Sequence, residues 1–259
     1  VQWREQETVR WLEAELPGAR AAFSTRLGGV SEAPFDRLNL GVLTDDERDA
    51  VVENRRRLAS AIGLVPERVA IGRQVHGAEL RTHTAGQSPS PFAEPGSAIP
   101  EVDGHIIPAP AADRGGEEGG PPAAALVFVA DCLPIALAGP GGLAMLHCGW
   151  RGLAAGIVAR GAAAVGATDA AIGPGIGACC YEVGEEVLDA FAGLGPGIAS
   201  GPMLDLATVA RLLLERAGVE RIEVAGLCTS CEPELLFSHR RDGGRTGRQA
   251  GLVWPERGD

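Results

Sequence analysis

The stretch "IALAGPGGLAMLHCGWRG", residues 135–152, sets the reading of this chain. Two short apolar runs, 135–139 and 143–147, flank a Pro-Gly-Gly turn, the pattern of an antiparallel hairpin. Immediately after the second run, His147, Cys148, Trp150 and Arg151 crowd together where a helix over 153–165 is about to begin. The chain has only 5 histidines and 4 tryptophans. One of each beside a thiol and a guanidinium marks either a tightly packed corner or one wall of an active site.

Outward from the hairpin, the pattern predicts strands over 19–25, around 68–72 and 78–84, over 124–130, at the start of 169–177, over 221–227 and over 249–254. Helices are predicted over 1–17, ended by Pro17-Gly18, from Asp45-Asp46 onward with Val51, Leu58 and Ile62 on one face, and from 185–191. A further helix spans 206–217, where Leu206, Val209, Ala210, Leu213, Leu214 and Ala217 keep helical spacing and Gly218 caps the end. Strands and helices mix without strict alternation, so the expected class is α/β, with layers around a mixed sheet. With no repeat and no clear linker, residues 1–259 read as a single domain, and 109–122 as a mobile surface insertion.

Composition narrows the function classes. A net charge of −11 argues against nucleic acid as a partner, which calls for a basic footprint. No apolar run is long enough for a bilayer, and the N-terminal stretch lacks the apolar region of a signal peptide, so a cytoplasmic location is expected. In that setting the 6 cysteines read as thiols, nucleophiles or ligands rather than disulfides. All 23 basic residues are arginine. Without lysine, Schiff-base chemistry and a P-loop are excluded, and an anionic substrate must be held by arginine, backbone N–H groups or a metal.

Three metal-capable side chains stand at strand ends: His76 in "RQVHG", Cys132 in "VADCLP" and His147 in "MLHCGW". Two imidazoles and a thiolate that leave a fourth position open fit a catalytic zinc site. By spacing alone they equally fit a core histidine, a buried thiol and a turn histidine. Cys132 with a histidine also fits a Cys–His nucleophile pair, with Asp131 orienting the imidazole; Asp103 is a second carboxylate candidate for proton transfer. Cys228 and Cys231 form a lone C-x-x-C. Cys179-Cys180 are adjacent and poorly suited to complete it, so no second metal site is expected. "GPGIG" (173–177) reads as a tight turn, and the arginine-rich loop 238–249 as solvated or anion-facing.

Taken in order, "FSTRLGGVSEAPFDRLNLG", "QVHG", "VDG", "ADCLPI", "HCGWRGLAAGI", "IGPGIGACCYEVGEEV", "LDL" and "FSHRRDGGRTGRQAGLVW" strongly resemble the YfiH family. This is also called the laccase-domain or polyphenol-oxidase family, and includes the peptidoglycan editing factor. The resemblance implies an α/β/β/α sandwich similar to the cytotoxic necrotizing factor catalytic domain. It implies zinc on His76, Cys132 and His147, these three also serving as the catalytic set. The implied activity is phosphorolysis of adenosine, inosine, guanosine and methylthioadenosine, and deamination of adenosine. Arg26, Asn39 and Arg240 fall in loops that border the pocket in such proteins. Arg151, at a helix start, is a further substrate contact or else a structural ion-pair partner. The alternative activity is a cysteine or zinc amide hydrolase that edits peptidoglycan precursors. A multicopper oxidase conflicts with so few histidines and no His-x-His pair, although a single copper suits two imidazoles and a thiolate. Cys148 stands where the family usually has alanine, which places an extra thiol next to a ligand in sequence. Relative to the usual "RRDG.TGR", the loop carries an additional residue, which leaves the role of Arg245 open.

Overall fold

The computed structural model describes residues 1–83, 92–93, 99–109 and 124–256. Residues 110–122 of the expected insertion therefore lie outside the described residues. The strands in chain order are β1 (Gln2–Gln6), β2 (Val9–Leu16), β3 (Ala19–Ser24), β4 (Val69–Ala70), β5 (Leu80–Thr82), β6 (Gly104–Pro108) and β7 (Ala124–Val129). They continue as β8 (Leu133–Gly139), β9 (Gly142–Cys148), β10 (Asp169–Ile172), β11 (Ala199–Ser200), β12 (Met203–Leu204), β13 (Arg221–Val224) and β14 (Gln249–Pro255). The helices are α1 (Arg48–Ile62), α2 (Trp150–Ala154), α3 (Ile157–Val165), α4 (Glu185–Phe191) and α5 (Leu206–Arg216). Among these helices none is long and apolar enough to cross a membrane.

Two six-stranded mixed sheets form the frame, ordered β1-β2-β3-β14-β7-β4 and β13-β10-β8-β9-β6-β5. Side-chain alternation sorts the core into layers. From β7, Ala125, Val127 and Val129 face the second sheet, and meet Ala136, Ala138, Leu143 and Met145 of β8 and β9. Their neighbours Ala124 and Leu126 face outward and pack with Leu58 of α1. On the far side, Leu133, Ile135, Leu137, Ala144 and Leu146 pack against α3 and α5. The order is therefore α, β, β, α, as expected. The hairpin is the centre of it: β8 and β9 pair antiparallel from Leu133↔Cys148 to Gly139↔Gly142, buried on both faces.

Two sequence expectations need correction. Residues 1–17 form no helix but the β1–β2 hairpin, paired from Gln2↔Glu13 to Gln6↔Val9. In β2, Val9 and Trp11 enter one core while Leu12, Ala14 and Leu16 enter the other. Burial of both faces erases the strand alternation and leaves a pseudo-helical spacing of apolar residues. The helix expected over 153–165 starts earlier, at Trp150, and breaks at Gly156, whose φ of 84° interrupts the helical backbone.

Candidate active site

Three chain segments converge at one end of the space between the sheets. His76 lies in the loop after β4 with φ of 61°, a left-handed conformation that costs energy for a non-glycine residue. Cys132 lies at the crossover from β7 of the first sheet to β8 of the second. His147 is the penultimate residue of β9 and is 4 % exposed. Its place in the strand alternation puts it with Leu143 and Met145 on the face toward the first sheet. The donor atoms of His76, Cys132 and His147 all lie within 4.8 Å of one another, and the two imidazole rings meet edge to face at 4.9 Å. At Gly149, a Cβ would lie 3.0 Å from Cys132 Sγ and 3.3 Å from His76 Cδ2. The glycine thus lets the backbone pass close behind the cluster.

Asp103 organises the three. It is fully buried, just before β6. The backbone N–H groups of Val75 (3.1 Å), His76 (2.9 Å) and Gly77 (2.8 Å) donate to its carboxylate, and His147 Nδ1 lies 2.8 Å from it. One carboxylate therefore holds both the strained loop of His76 and the ring of His147, leaving Nε2 as the free nitrogen of His147. This is the outer partner expected of a ligating histidine. The sequence reading gave the orienting role to Asp131. Its carboxylate instead accepts from Thr229 Oγ1 and from the Arg240 backbone N–H at 2.7 Å.

Burial alone would raise the Cys132 thiol, but His147 and His76 beside it outweigh that and lower it to about 6. Burial opposes the charged form of His147, yet Cys132 and Asp103 raise it to about 9. Burial also works against the Asp103 carboxylate. The His147 ring and the N–H groups of Gly77 and Val75 overcome it and hold Asp103 below its usual range. Without a metal the site is a thiolate–imidazolium–carboxylate array. Two imidazoles and a low-titrating thiolate can hold a transition metal.

The cluster opens into a cavity of about 470 Å³. Arg151 and Arg240 line it, as do Arg248, Tyr181, Trp150 and Phe128. Arg151 stacks over Trp150 at 4.5 Å, and it forms no ion pair with a carboxylate among the described residues. Arg240 stacks over Tyr181 at 5.4 Å. Arg26 and Asn39 do not line the cavity. Arg26 donates to the carbonyls of Asp36 (2.6 Å) and Pro233 (2.8 Å) and lies over Phe237. Asn39 is fully buried; its Oδ1 accepts from the N–H groups of Gly41 and Arg248, and its amide donates to Asp46. Both hold loops together through these bonds. Arg245 lies over Phe35, away from the cavity wall.

Sequence reasoning passed over Tyr181 as a lining residue and reached Arg248 only as part of a basic loop. Tyr181 carries a signal, as the one tyrosine of the chain. Burial raises its hydroxyl to about 12, so it stays a hydrogen-bond donor. Cys148 points away from the cluster: it is fully buried among the residues facing α3, and burial raises its thiol well above the usual value. The expectation that Cys179-Cys180 are poorly placed to meet Cys228 and Cys231 also needs correction. The isolated parallel bridge Gly175↔Cys228 brings the 173–181 and 226–232 segments side by side, and the sulfurs of Cys179, Cys180, Cys228 and Cys231 lie within 4.8 Å of one another.

A family described as multi-copper polyphenol oxidoreductase laccase matches residues 20–256. The chain belongs to this family. A laccase-family relative from Geobacillus stearothermophilus, purine nucleoside phosphorylase YlmD, is 38 % identical over 96 % of this chain and 96 % of its own length. Purine nucleoside phosphorylase YfiH of Escherichia coli strain K12 is 34 % identical over 92 % of this chain and 94 % of its own. Among solved family members, YfiH of Bacillus licheniformis has a TM-score of 0.84 at 30 % identity, covering 98 % of this chain and 99 % of that one. YlmD of Geobacillus stearothermophilus has a TM-score of 0.83 at 35 %, covering 98 % of each. Of the 5 histidines, only His76, His147 and His239 line the cavity. His83 Nε2 and His105 Nδ1 lie 3.0 Å apart in the core, which leaves too few histidines around the cavity for several coppers.

Proposed function

We propose that this chain is a purine nucleoside phosphorylase with one zinc ion on His76, Cys132 and His147. The observation that carries the reading is the convergence of that donor set with Arg151, Arg240 and Arg248 on one cavity, in a chain whose relatives bear that name. The residues fit the group: the donors are mutually in reach, the thiol titrates low, and Asp103 presets the His147 ring. Zinc bound there supplies an open coordination position and Lewis acidity.

The chain's own groups supply the rest. The cluster of guanidinium groups holds phosphate in bidentate fashion, a role no lysine is present to take. Phe128 and Trp150 offer apolar walls for the flat purine, and Tyr181, protonated at neutral pH, donates a hydrogen bond. In phosphorolysis a phosphate oxygen bonds to C1′ as the C1′–N9 bond breaks, and the purine takes up a proton. Adenosine, inosine, guanosine and methylthioadenosine are the substrates proposed, with deamination of adenosine at the same site.

A second reading rests on one observation, the aligned Cys132–His147–Asp103 array. It has the order of a nucleophile, its base and an orienting carboxylate, and fits hydrolysis of an amide such as a peptidoglycan precursor. The deciding experiment is a product assay on adenosine with and without phosphate, using the native chain, Cys132→Ala and His76→Ala. Free adenine and ribose phosphate that appear only with phosphate, and are lost in both variants along with the cavity zinc, support the proposal. Full turnover by a His76→Ala protein that lacks the cavity zinc refutes the zinc role.

A further inference from the structure

Five of the 6 cysteines in the chain play no part in the cavity cluster, and four of them are gathered in one place. Cys179 and Cys180 sit on a turn after the glycine-rich segment; the N–H groups of Cys180 and Tyr181 both donate to the Gly177 carbonyl, at 2.9 and 3.0 Å. Cys228 and Cys231 sit on a second turn, where the N–H groups of Cys231 and Glu232 both donate to the Cys228 carbonyl at 3.1 Å. The two turns are joined by the Gly175↔Cys228 bridge and by the Thr229 N–H bond to the Gly175 carbonyl at 2.9 Å.

The sulfur spacing identifies the chemistry. Cys179 and Cys180 each place Sγ 3.4 Å from Cys231 Sγ, and all four sulfurs lie within 4.8 Å of one another. A disulfide needs sulfurs about 2.0 Å apart. Four thiolates at zinc–sulfur distance around one ion lie about 3.8 Å apart. In addition, the Gly177 N–H points at Cys228 Sγ at 3.2 Å, a bond that supports a negative sulfur. A Cβ on Gly177 would come within 3.4 Å of the sulfurs of both Cys179 and Cys228, so glycine permits that approach. Cys179 and Cys231 are exposed, which gives an ion a way in.

We propose that Cys179, Cys180, Cys228 and Cys231 form a second metal site, a tetrathiolate centre for a soft divalent cation of the zinc class. On binding, each thiol releases its proton to solvent and its sulfur becomes a ligand. With four protein donors the coordination is closed, so the site is structural and performs no chemistry. It fastens a segment of the cavity wall to a second segment that braces the wall from behind. Ile176 and Tyr181 line the cavity from the first, and Thr229 of the second bonds Asp131, the neighbour of Cys132.

The test uses the full chain carrying Cys132→Ala, isolated without oxygen and titrated with cobalt(II). The expected result is about one ion per chain with the strong sulfur-to-cobalt charge transfer of thiolate coordination, displaced by zinc. Alkylation of the four thiols, read peptide by peptide, is expected to slow about tenfold or more when cobalt is bound. Cobalt absorption without sulfur charge transfer, equal alkylation with and without the ion, or recovery of these cysteines as disulfides from anaerobic protein would each overturn the proposal. Should Cys132→Ala fail to fold, the same alkylation comparison on the native chain decides it. None of these readouts depends on nucleoside turnover.

Discussion

Replacing Asp103 with asparagine tests how the His76–Cys132–His147 cluster is held. All four groups facing the carboxylate are donors: three backbone N–H groups and His147 Nδ1. Asparagine keeps the shape but offers one oxygen and one NH₂. Whichever way it turns, two donors face another donor: either the buried His147 ring with the part-buried His76 N–H, or the part-buried Val75 and Gly77 N–H groups. Each buried donor left unpaired costs about 1–3 kcal/mol, so Asp103→Asn should lose roughly 2–6 kcal/mol of stability. If the oxygen keeps Val75 and Gly77, the His147 ring loses its anchor; if it keeps His147 and His76, the loop is loosened instead. Either outcome moves a metal donor, and loss of such an outer partner lowers metal affinity about 10–100-fold. The assays are urea unfolding of the metal-free protein and zinc competition against a coloured chelator. Equal stability together with zinc affinity within about twofold of the native chain would refute the role given to Asp103. The native protein adds a pH signature. The Asp103 carboxylate titrates below its usual value when folded, so its stabilisation is complete above the usual carboxylate range. It is lost as pH falls through the lowered value, below about 4.

Arg151→Ala should raise the KM for phosphate about tenfold or more, with little change in unfolding midpoint, because the side chain is exposed and pairs with no carboxylate among the described residues; an unchanged phosphate KM removes it from the anion site. Asn39→Ala should act the opposite way. It strips buried partners from Gly41, Arg248 and Asp46, so stability should fall by roughly 2–4 kcal/mol in denaturant unfolding, and a purely kinetic effect would contradict its placement. Cys148→Ala should leave zinc stoichiometry unchanged while costing about 1 kcal/mol of packing; loss of metal would mean the thiol reaches the cavity cluster after all.

The central hairpin was legible because apolar runs interrupted by Pro140-Gly141-Gly142 carry both the strand signal and the turn signal. Helix α5 was legible because Leu206, Val209, Ala210 and Leu214 keep one buried face. The N-terminal hairpin was not, since β2 buries both its faces and the alternation that would reveal it is gone. Cys132 and His147 were visible as polar side chains at strand ends, while His76 stands in the loop between β4 and β5. Asp103 was visible only as a candidate, because its role follows from the β6–β9 pairing, which sets Gly104 opposite Leu146 and so brings Asp103 beside His147. The four-cysteine cluster was hidden for the same kind of reason: an isolated bridge between segments some fifty residues apart creates it. Local chemistry can be read from a chain, whereas which loops become neighbours depends on strand order.

The closeness of the two sheets has a further consequence. At Gly251 in β14, a Cβ would fall 2.4 Å from Pro134 Cβ and 2.5 Å from Met145 Cε. Pro134 follows Cys132 by two residues in the chain, and Met145 precedes His147 by two. This glycine therefore acts as a gauge: the clearance it leaves sets how far apart the two strands hold their terminal donors. A methyl group there would work as a wedge, levering Cys132 and His147 without touching the cavity. Such a wedge is expected to change the fit of the donor pair to ions that differ by tenths of an ångström in bond length. The sensitive readout for Gly251→Ala is the ratio of zinc to copper affinity rather than either affinity alone.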